Sequence, residues 1–372
     1  MLTSLDPNDA VLGDIETPAL VIEAAALDAN IERMQAAARA AGISLRPHAK
    51  THKSPDIARR QRQVGAIGIG CATLREAEDM SAAGVSDLLI TSPMVGRDKL
   101  GRVVALHRRS PIMLVVDHPS QVGAIATALS ADDLPVPVLL DVDVGQARTG
   151  IVSPDDAVAL ARQIRSSPRL RFAGLQGYAG HIQHIIDGNE RRQATERATA
   201  LLRAVAEAAR GENLPVEIIS GSGTGTSAFD LAGNCYTELQ TGSYVFMDAD
   251  YGRLREPDGA ELPYQHALFV LAAVVSANRA GQVTVDAGTK ALAVNGPAPD
   301  RFIGVPAGSS YAFAGDEHGT IKLPPGAAAP AVGRRVLIGA THCDPTVNLH
   351  SSYRVVTADG SIARWPIVGR YG

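Results

Sequence analysis

The sequence predicts a (β/α)8 barrel followed by a C-terminal β domain. Three observations predict it. Short apolar runs alternate with Ala-rich amphipathic stretches up to about residue 250. Polar or glycine-rich residues follow the carboxyl end of nearly every run: Lys50, Thr73, Ser92, Asp117, Asp143, Tyr178 and Gly221. Beyond residue 250, helical periodicity gives way to strand-like runs punctuated by Gly and Pro.

The elements follow in order. The run 20–23 is a strand, and 25–40 is a helix with Leu27, Ile31 and Met34 on one face. Eight further strands are expected at 43–48, 66–72, 87–91, 112–117, 136–143, 172–178, 216–220 and 239–246. Helices separate them at 55–63, 74–83, 99–108, 119–129, 155–166 and 190–210, whereas 221–238 is Gly-rich and less clearly helical. Eight strands fill the barrel, so 20–23 is assigned to the β domain with the strands 267–275, 282–287, 335–338, 353–357 and 362–366. The domains are therefore 25–250 for the barrel, and 1–24 plus 251–372 for the β domain.

Composition narrows the function. A chain of 372 residues with 45% hydrophobic and 20% charged residues has globular texture, which excludes a disordered chain, a collagen and a coiled coil. No apolar run reaches the roughly 18 residues of a membrane span. Residues 1–14 contain acidic and no basic side chains, unlike a secretory or mitochondrial signal. A net charge of −4 argues against nucleic acid or an anionic membrane as partner and leaves a small-molecule substrate. Cys71, Cys235 and Cys343 are scattered and fit a reducing, cytoplasmic setting.

Of 35 basic residues only five are lysines: Lys50, Lys53, Lys99, Lys290 and Lys322. A lysine kept where Arg supplies charge elsewhere is a candidate for Schiff-base chemistry. On an extended strand Arg46, His48 and Lys50 share the inward face. Desolvation at the barrel mouth and the Arg46 charge are expected to lower the Lys50 pKa. The run from Ser220 to Ser227, with Ser222, Gly223, Thr224 and Gly225, offers backbone N–H groups and hydroxyls to an anion, and Gly242 and Ser243 could add more. It is neither a Walker loop nor a dinucleotide fingerprint. Arg148 and Tyr178 lie at strand ends, and His181 and His184 are candidate proton carriers. On a strand His342 and Asp344 would share a face, with Cys343 opposite. One imidazole and one carboxylate suit Mn2+, Mg2+ or Co2+ better than structural zinc. Asp316, Glu317 and His318 form a second polar cluster.

With these residues in hand, the chain resembles the D-threonine aldolase and D-serine dehydratase group of pyridoxal-phosphate enzymes, which share the alanine-racemase barrel. The segments that carry the resemblance are 46–50, 143–148, 221–225, 237–244, 286–288 and 342–346. The resemblance implies that Lys50 carries pyridoxal 5'-phosphate as a Schiff base, that Tyr178 packs on its ring and that Arg148 lies near its phenolic oxygen. It implies that Ser222, Gly223, Thr224, Gly225, Gly242 and Ser243 hold the phosphate. His342 and Asp344 would bind a divalent metal, Mn2+ or Mg2+, with Co2+ or Zn2+ as alternatives. A homodimer is implied as well. Ala72 departs from the Gln that many aldolases of this group carry near that position. Dehydratase members tend to pair His with Cys two residues on; His342 and Asp344 match the aldolase pattern.

The expected reaction is retro-aldol cleavage of a β-hydroxy-D-amino acid to glycine and an aldehyde, with Lys50 and His184 as catalytic residues. The rivals are a D-serine or 3-hydroxyaspartate dehydratase, a 3-hydroxyaspartate aldolase, a non-catalytic pyridoxal-phosphate carrier and a metal-dependent hydrolase.

Overall fold

A computed structural model of the chain describes residues 5–371. A four-residue helix, α1 (Ala10–Gly13), leads into β1 (Ala19–Glu23) and α2 (Ala24–Ala40). The barrel follows: β2 (Ser44–Leu45), α3 (Pro55–Gln63), β3 (Ile69–Cys71), α4 (Leu74–Ala82), β4 (Leu88–Ile90), α5 (Arg97–Arg109), β5 (Ile112–Val116), α6 (Pro119–Ala128), β6 (Val136–Asp141), α7 (Pro154–Ser166), β7 (Leu170–Gly177), α8 (Gly188–Gly211), β8 (Ile218–Gly221), α9 (Ser227–Ala232) and β9 (Glu238–Leu239). The strands run parallel in the order β2-β9-β8-β7-β6-β5-β4-β3. The two ends of that row meet through the His48–Gly70 bridge, where the Gly70 N–H donates to the Pro47 carbonyl at 2.8 Å.

Local sequence explains the alternation. Pro opens α3, α6 and α7, where its missing N–H costs nothing. Thr73, Ser153 and Asp187 accept the N–H three residues on and so cap α4, α7 and α8. The strands are apolar on both faces, as a helix-covered parallel sheet requires. Helix α8 turns Leu202, Val205, Ala206 and Ala209 into the core, and each of the two larger side chains contributes about 1.5–3 kcal/mol by burial.

The second sheet contains β10 (Leu268–Ser276), β11 (Gln282–Val285), β12 (Phe302–Ile303), β13 (Ser310–Phe313), β14 (Gly319–Lys322), β15 (Arg335–Gly339), β16 (Ser352–Val356) and β17 (Ile362–Pro366). Strand β1 lies here, antiparallel to β10 and parallel to β16. Three sequence expectations change. The first barrel strand, expected over 43–48, is only Ser44–Leu45. The last barrel strand stops after Leu239, and 243–245 form a 3-10 turn instead of continuing the ladder. The segment Cys343–Leu349 is a helix, α10, not a strand, with His342 just before its first residue.

The two halves are joined at the barrel mouth. The buried Tyr353 hydroxyl donates to the His52 carbonyl at 2.6 Å. The Cys343 N–H donates to Asp248 Oδ2 at 2.8 Å. Lys53 Nζ bonds both Glu76 Oε1 (2.5 Å) and the Gly369 carbonyl (3.1 Å), which fastens the C-terminal tail to α4. No helix among the described residues is long and apolar enough to cross a membrane.

Candidate active site

A cavity of about 280 Å³ opens at the carboxyl ends of the barrel strands. That is close to the lower end of the roughly 300–1,000 Å³ that small-ligand sites occupy. His48, Lys50, Arg148, Tyr178, Gly223, Thr224, Gly242 and Ser243 all line it. Its floor is a satisfied polar network. Gln176 Nε2 donates to Asp141 Oδ1 (2.9 Å), and Gln240 Nε2 donates to Gln176 Oε1 (3.1 Å) and Ser220 Oγ (2.7 Å).

Lys50 reaches the mouth from a 3-10 turn, Ala49–Thr51, not from a strand. Its N–H donates to His48 Nδ1 at 3.2 Å. A neutral His48 must then carry its proton on Nε2, which lies 3.0 Å from Thr91 Oγ1. Burial keeps His48 neutral by lowering its pKa to about 3. Arg46 does not act on Lys50 as the sequence suggested. Its guanidinium pairs with Glu238 at 2.9 Å and donates to the Asp87 carbonyl. Nor is the Lys50 pKa lowered: Asp344 Oδ2 stands 2.9 Å from Nζ, and this carboxylate raises it above the ordinary lysine range. Burial pushes Asp344 upward, but the charges of Lys50 and His342 and hydrogen bonds from Lys50 and Thr51 together outweigh it, so the carboxyl sits below its usual range. The Lys50 ammonium lies 6.0 Å, and the Arg148 guanidinium 5.6 Å, from the Tyr178 ring centre.

The glycine loop divides. Gly223 and Thr224 border the cavity. Ser222 and Gly225 do not: Ser222 holds a positive φ of 73° and turns its hydroxyl to the Gly223 carbonyl, and the Gly225 N–H is taken by Gln183 Oε1 at 2.9 Å. Gly242 is required for packing, since a Cβ there would stand 2.6 Å from Thr51 Oγ1.

His184 lies beside this mouth and borders a separate cleft with Asp187, Arg255 and Glu256. Its ring centre lies 6.4 Å from that of His342 and 5.3 Å from that of Tyr251. Its Nδ1 is 2.9 Å from Asp250 Oδ2, and this bond raises the imidazole pKa. His181 is exposed beside Gly145. Asn295 Nδ2 lies 3.2 Å from His342 Nδ1. Asp344 sits between Lys50 and the His342 side, whereas the Cys343 thiol is buried and raised by burial. No group of three or more His, Cys, Asp or Glu side chains among the described residues gathers for a metal. Asp316 and Glu317 pair with Lys290 at the surface and take no part.

Residues 22–250 match the family described as alanine racemase, N-terminal domain, and residues 267–356 match the putative serine dehydratase domain. The chain is 40% identical over 360 residues to the D-threonine aldolase of Arthrobacter sp, covering 96% of this chain and 94% of that one. The chain belongs to the D-threonine aldolase and D-serine dehydratase family. The fold agrees: the crystal structure of D-threonine aldolase from Filomicrobium marinum superposes with a TM-score of 0.90 at 38% identity, covering 96% of each chain. The D-threo-3-hydroxyaspartate dehydratase of Delftia sp. (strain HT23) is 31% identical over 374 residues, covering 94% of this chain and 97% of that one. Both reaction types therefore occur among relatives of one fold.

Within this family site, Asp250, Gln176, Gln240 and Asn295 escaped the sequence reading. Gln176 had a signal, being two residues before Tyr178 on the same strand face. Asp250 and Asn295 had none, since each meets its histidine only through the fold.

Proposed function

We propose that the chain is a lyase that cleaves a β-hydroxy-D-amino acid of the D-threonine type into glycine and an aldehyde, using pyridoxal phosphate and a divalent metal. One observation carries the reading: Lys50 and a ring of N–H and hydroxyl donors line one cavity, Asp344 stands 2.9 Å from Lys50 Nζ, and the rings of His342 and His184 lie 6.4 Å apart beside it. The donors fit the cofactor. Lys50 is the amine that would hold it covalently, Gly223, Thr224, Gly242 and Ser243 would receive its phosphate, and Tyr178 would face its ring. When bound, pyridoxal phosphate supplies an electron sink for the pair released at Cα.

His342 and Asp344 supply one nitrogen and one oxygen donor, which suits a hard divalent cation that keeps open positions, Mn2+ or Mg2+ in preference to Co2+ or Zn2+. A cation held there would supply Lewis acidity toward the substrate hydroxyl. His184 takes the β-hydroxyl proton at Nε2. Asp250 accepts the Nδ1–H and so fixes the tautomer that leaves Nε2 free. The carboxylate at Asp344, where a thiolate would be softer, favours the aldolase over the dehydratase.

The reading extends to a homodimer in the cytoplasm; three buried free cysteines support a reducing compartment. It also divides the chain functionally into 25–250 for the cofactor, and 1–24 plus 251–372 for the metal pair. The pairing of β1 with β10 supports that division. The test is borohydride reduction of the cofactor-loaded enzyme, then peptide mapping. The reading expects the reduced cofactor on Lys50, and label on Lys53 or on no lysine refutes it.

A further inference from the structure

Arg191, in the first turns of α8, is completely buried, yet it forms no ion pair among the described residues. All its bonds go to backbone carbonyls. Nε donates to Gly225 (2.7 Å), Nη1 to Ile185 (2.6 Å) and Ile186 (3.1 Å), and Nη2 to Arg255 (2.7 Å). The guanidinium also lies 5.5 Å from the Phe229 ring centre. Glu256 and Asp187 act on it only through space, and burial outweighs them, so a cation here is costly and its place calls for a compensating role.

Those carbonyls belong to three separate parts of the site. Gly225 is in the glycine loop. Ile185 and Ile186 directly follow His184. Arg255 is five residues beyond Asp250, the partner of His184. A second strut runs alongside, because Gln183, directly before His184, accepts the Gly225 N–H (2.9 Å) and donates to Thr226 Oγ1 (3.1 Å). Both backbone groups of Gly225 are thus committed to the segment that carries His184. The Arg255 N–H closes the circuit on the Ile186 carbonyl at 3.0 Å. A planar fork of five donors on three nitrogens makes these four bonds, whereas a lysine has three donors on one nitrogen and cannot make them all.

We propose that Arg191 is a positioning residue that couples the phosphate end of the cofactor to the His184 base. Its positive charge, offset in part by Glu256 and Asp187 but in direct contact with neither, lies behind the glycine loop and favours a bound phosphate. Its fork holds that loop in register with His184 and with the segment following Asp250. The inference rests on the pyridoxal-phosphate reading above.

The experiment compares the full chain with Arg191→Lys and Arg191→Met. Dissociation constants for pyridoxal phosphate and for pyridoxal, which lacks the phosphate, are measured together with kcat and KM. In Arg191→Met the preference for the phosphorylated form falls roughly tenfold or more, while pyridoxal affinity stays within about twofold. Arg191→Lys keeps part of that preference but loses kcat, with KM little changed, because charge remains and the fork is gone. Folded variants with parental preference and parental kcat overturn the proposal. Should neither variant fold, hydrogen exchange on the parent decides. Adding pyridoxal phosphate is expected to protect 183–187 and 253–256 together with 221–226. Protection confined to 221–226 overturns the coupling. A parent that binds pyridoxal but gains nothing from the phosphate also overturns it. A parent that binds neither compound refutes the cofactor reading itself, and the proposal falls with it.

Discussion

Lys50 and Lys53 are three residues apart and do unlike things. Lys50 stands in the cavity against Asp344, whereas Lys53 is buried against Glu76 and the C-terminal tail. Lys50→Ala is expected to abolish covalent cofactor attachment in a folded protein. Lys53→Met is expected to keep the attachment but lower stability by about 3–5 kcal/mol, because it leaves Glu76 buried without its cation. Absorbance after cofactor loading and urea unfolding separate the two. Spacing from Arg46 and His48 singled out Lys50 in the sequence, and it is Lys50 that lines the cavity while Lys53 turns into a buried pair. The sign of the Lys50 pKa shift was not legible there, because its controlling partner Asp344 lies 294 residues away in sequence and only the fold brings it to 2.9 Å.

At the scale of elements, the long alternating strands and helices were readable from periodicity, and the short pieces that build the site were not. Helix α10 reads as a strand because Thr341 to Asp344 carries no helical period. The Asp248 carboxylate holds its first N–H instead. The consequence is chemical: His342 and Asp344 meet the mouth from a helix start, not from one strand face. His342→Ala and Asp344→Ala are each expected to retain cofactor and lose at least about a hundredfold in turnover, as removal of a Lewis acid worth several kcal/mol would give. Chelation of the parent should match them, and Mn2+ or Mg2+ should restore it; full turnover after complete metal removal contradicts the assignment. Helix α9 offers a pH test behind the glycine loop. Burial raises the Asp230 pKa to about 6, and Thr226 Oγ1 donates to its Oδ2 at 2.6 Å. A carboxyl raised in the folded state contributes most below its ordinary range and loses that contribution as pH rises through about 6. Asp230→Asn should therefore gain in melting temperature relative to the parent as pH rises from about 4 to about 6. A difference that is flat across this range contradicts the assignment.

For the molecule as a whole, the barrel supplies Lys50, Arg148, Tyr178 and the glycine loop, and the part beyond residue 250 supplies His342 and Asp344, so the proposed site draws on both halves. The N-terminal strand β1 enters the second sheet before the barrel begins, and Lys53 ties the tail back to α4, so chain ends and mouth are fixed together. This closure was partly legible: eight strands were enough to exclude the run 20–23 from the barrel. The short strands at Phe302–Ile303, Ser310–Phe313 and Gly319–Lys322 went unread because two to four residues are too few to show alternation, and Gly and Pro crowd their ends. Relatives with this fold include both aldolases and a dehydratase, so the decisive measurement is the product of one substrate. Loaded with pyridoxal phosphate and Mn2+ and given D-threonine, the enzyme is expected to release glycine and acetaldehyde in equal amounts, with little 2-oxobutanoate. Ammonia and 2-oxobutanoate as the main products would contradict the retro-aldol account.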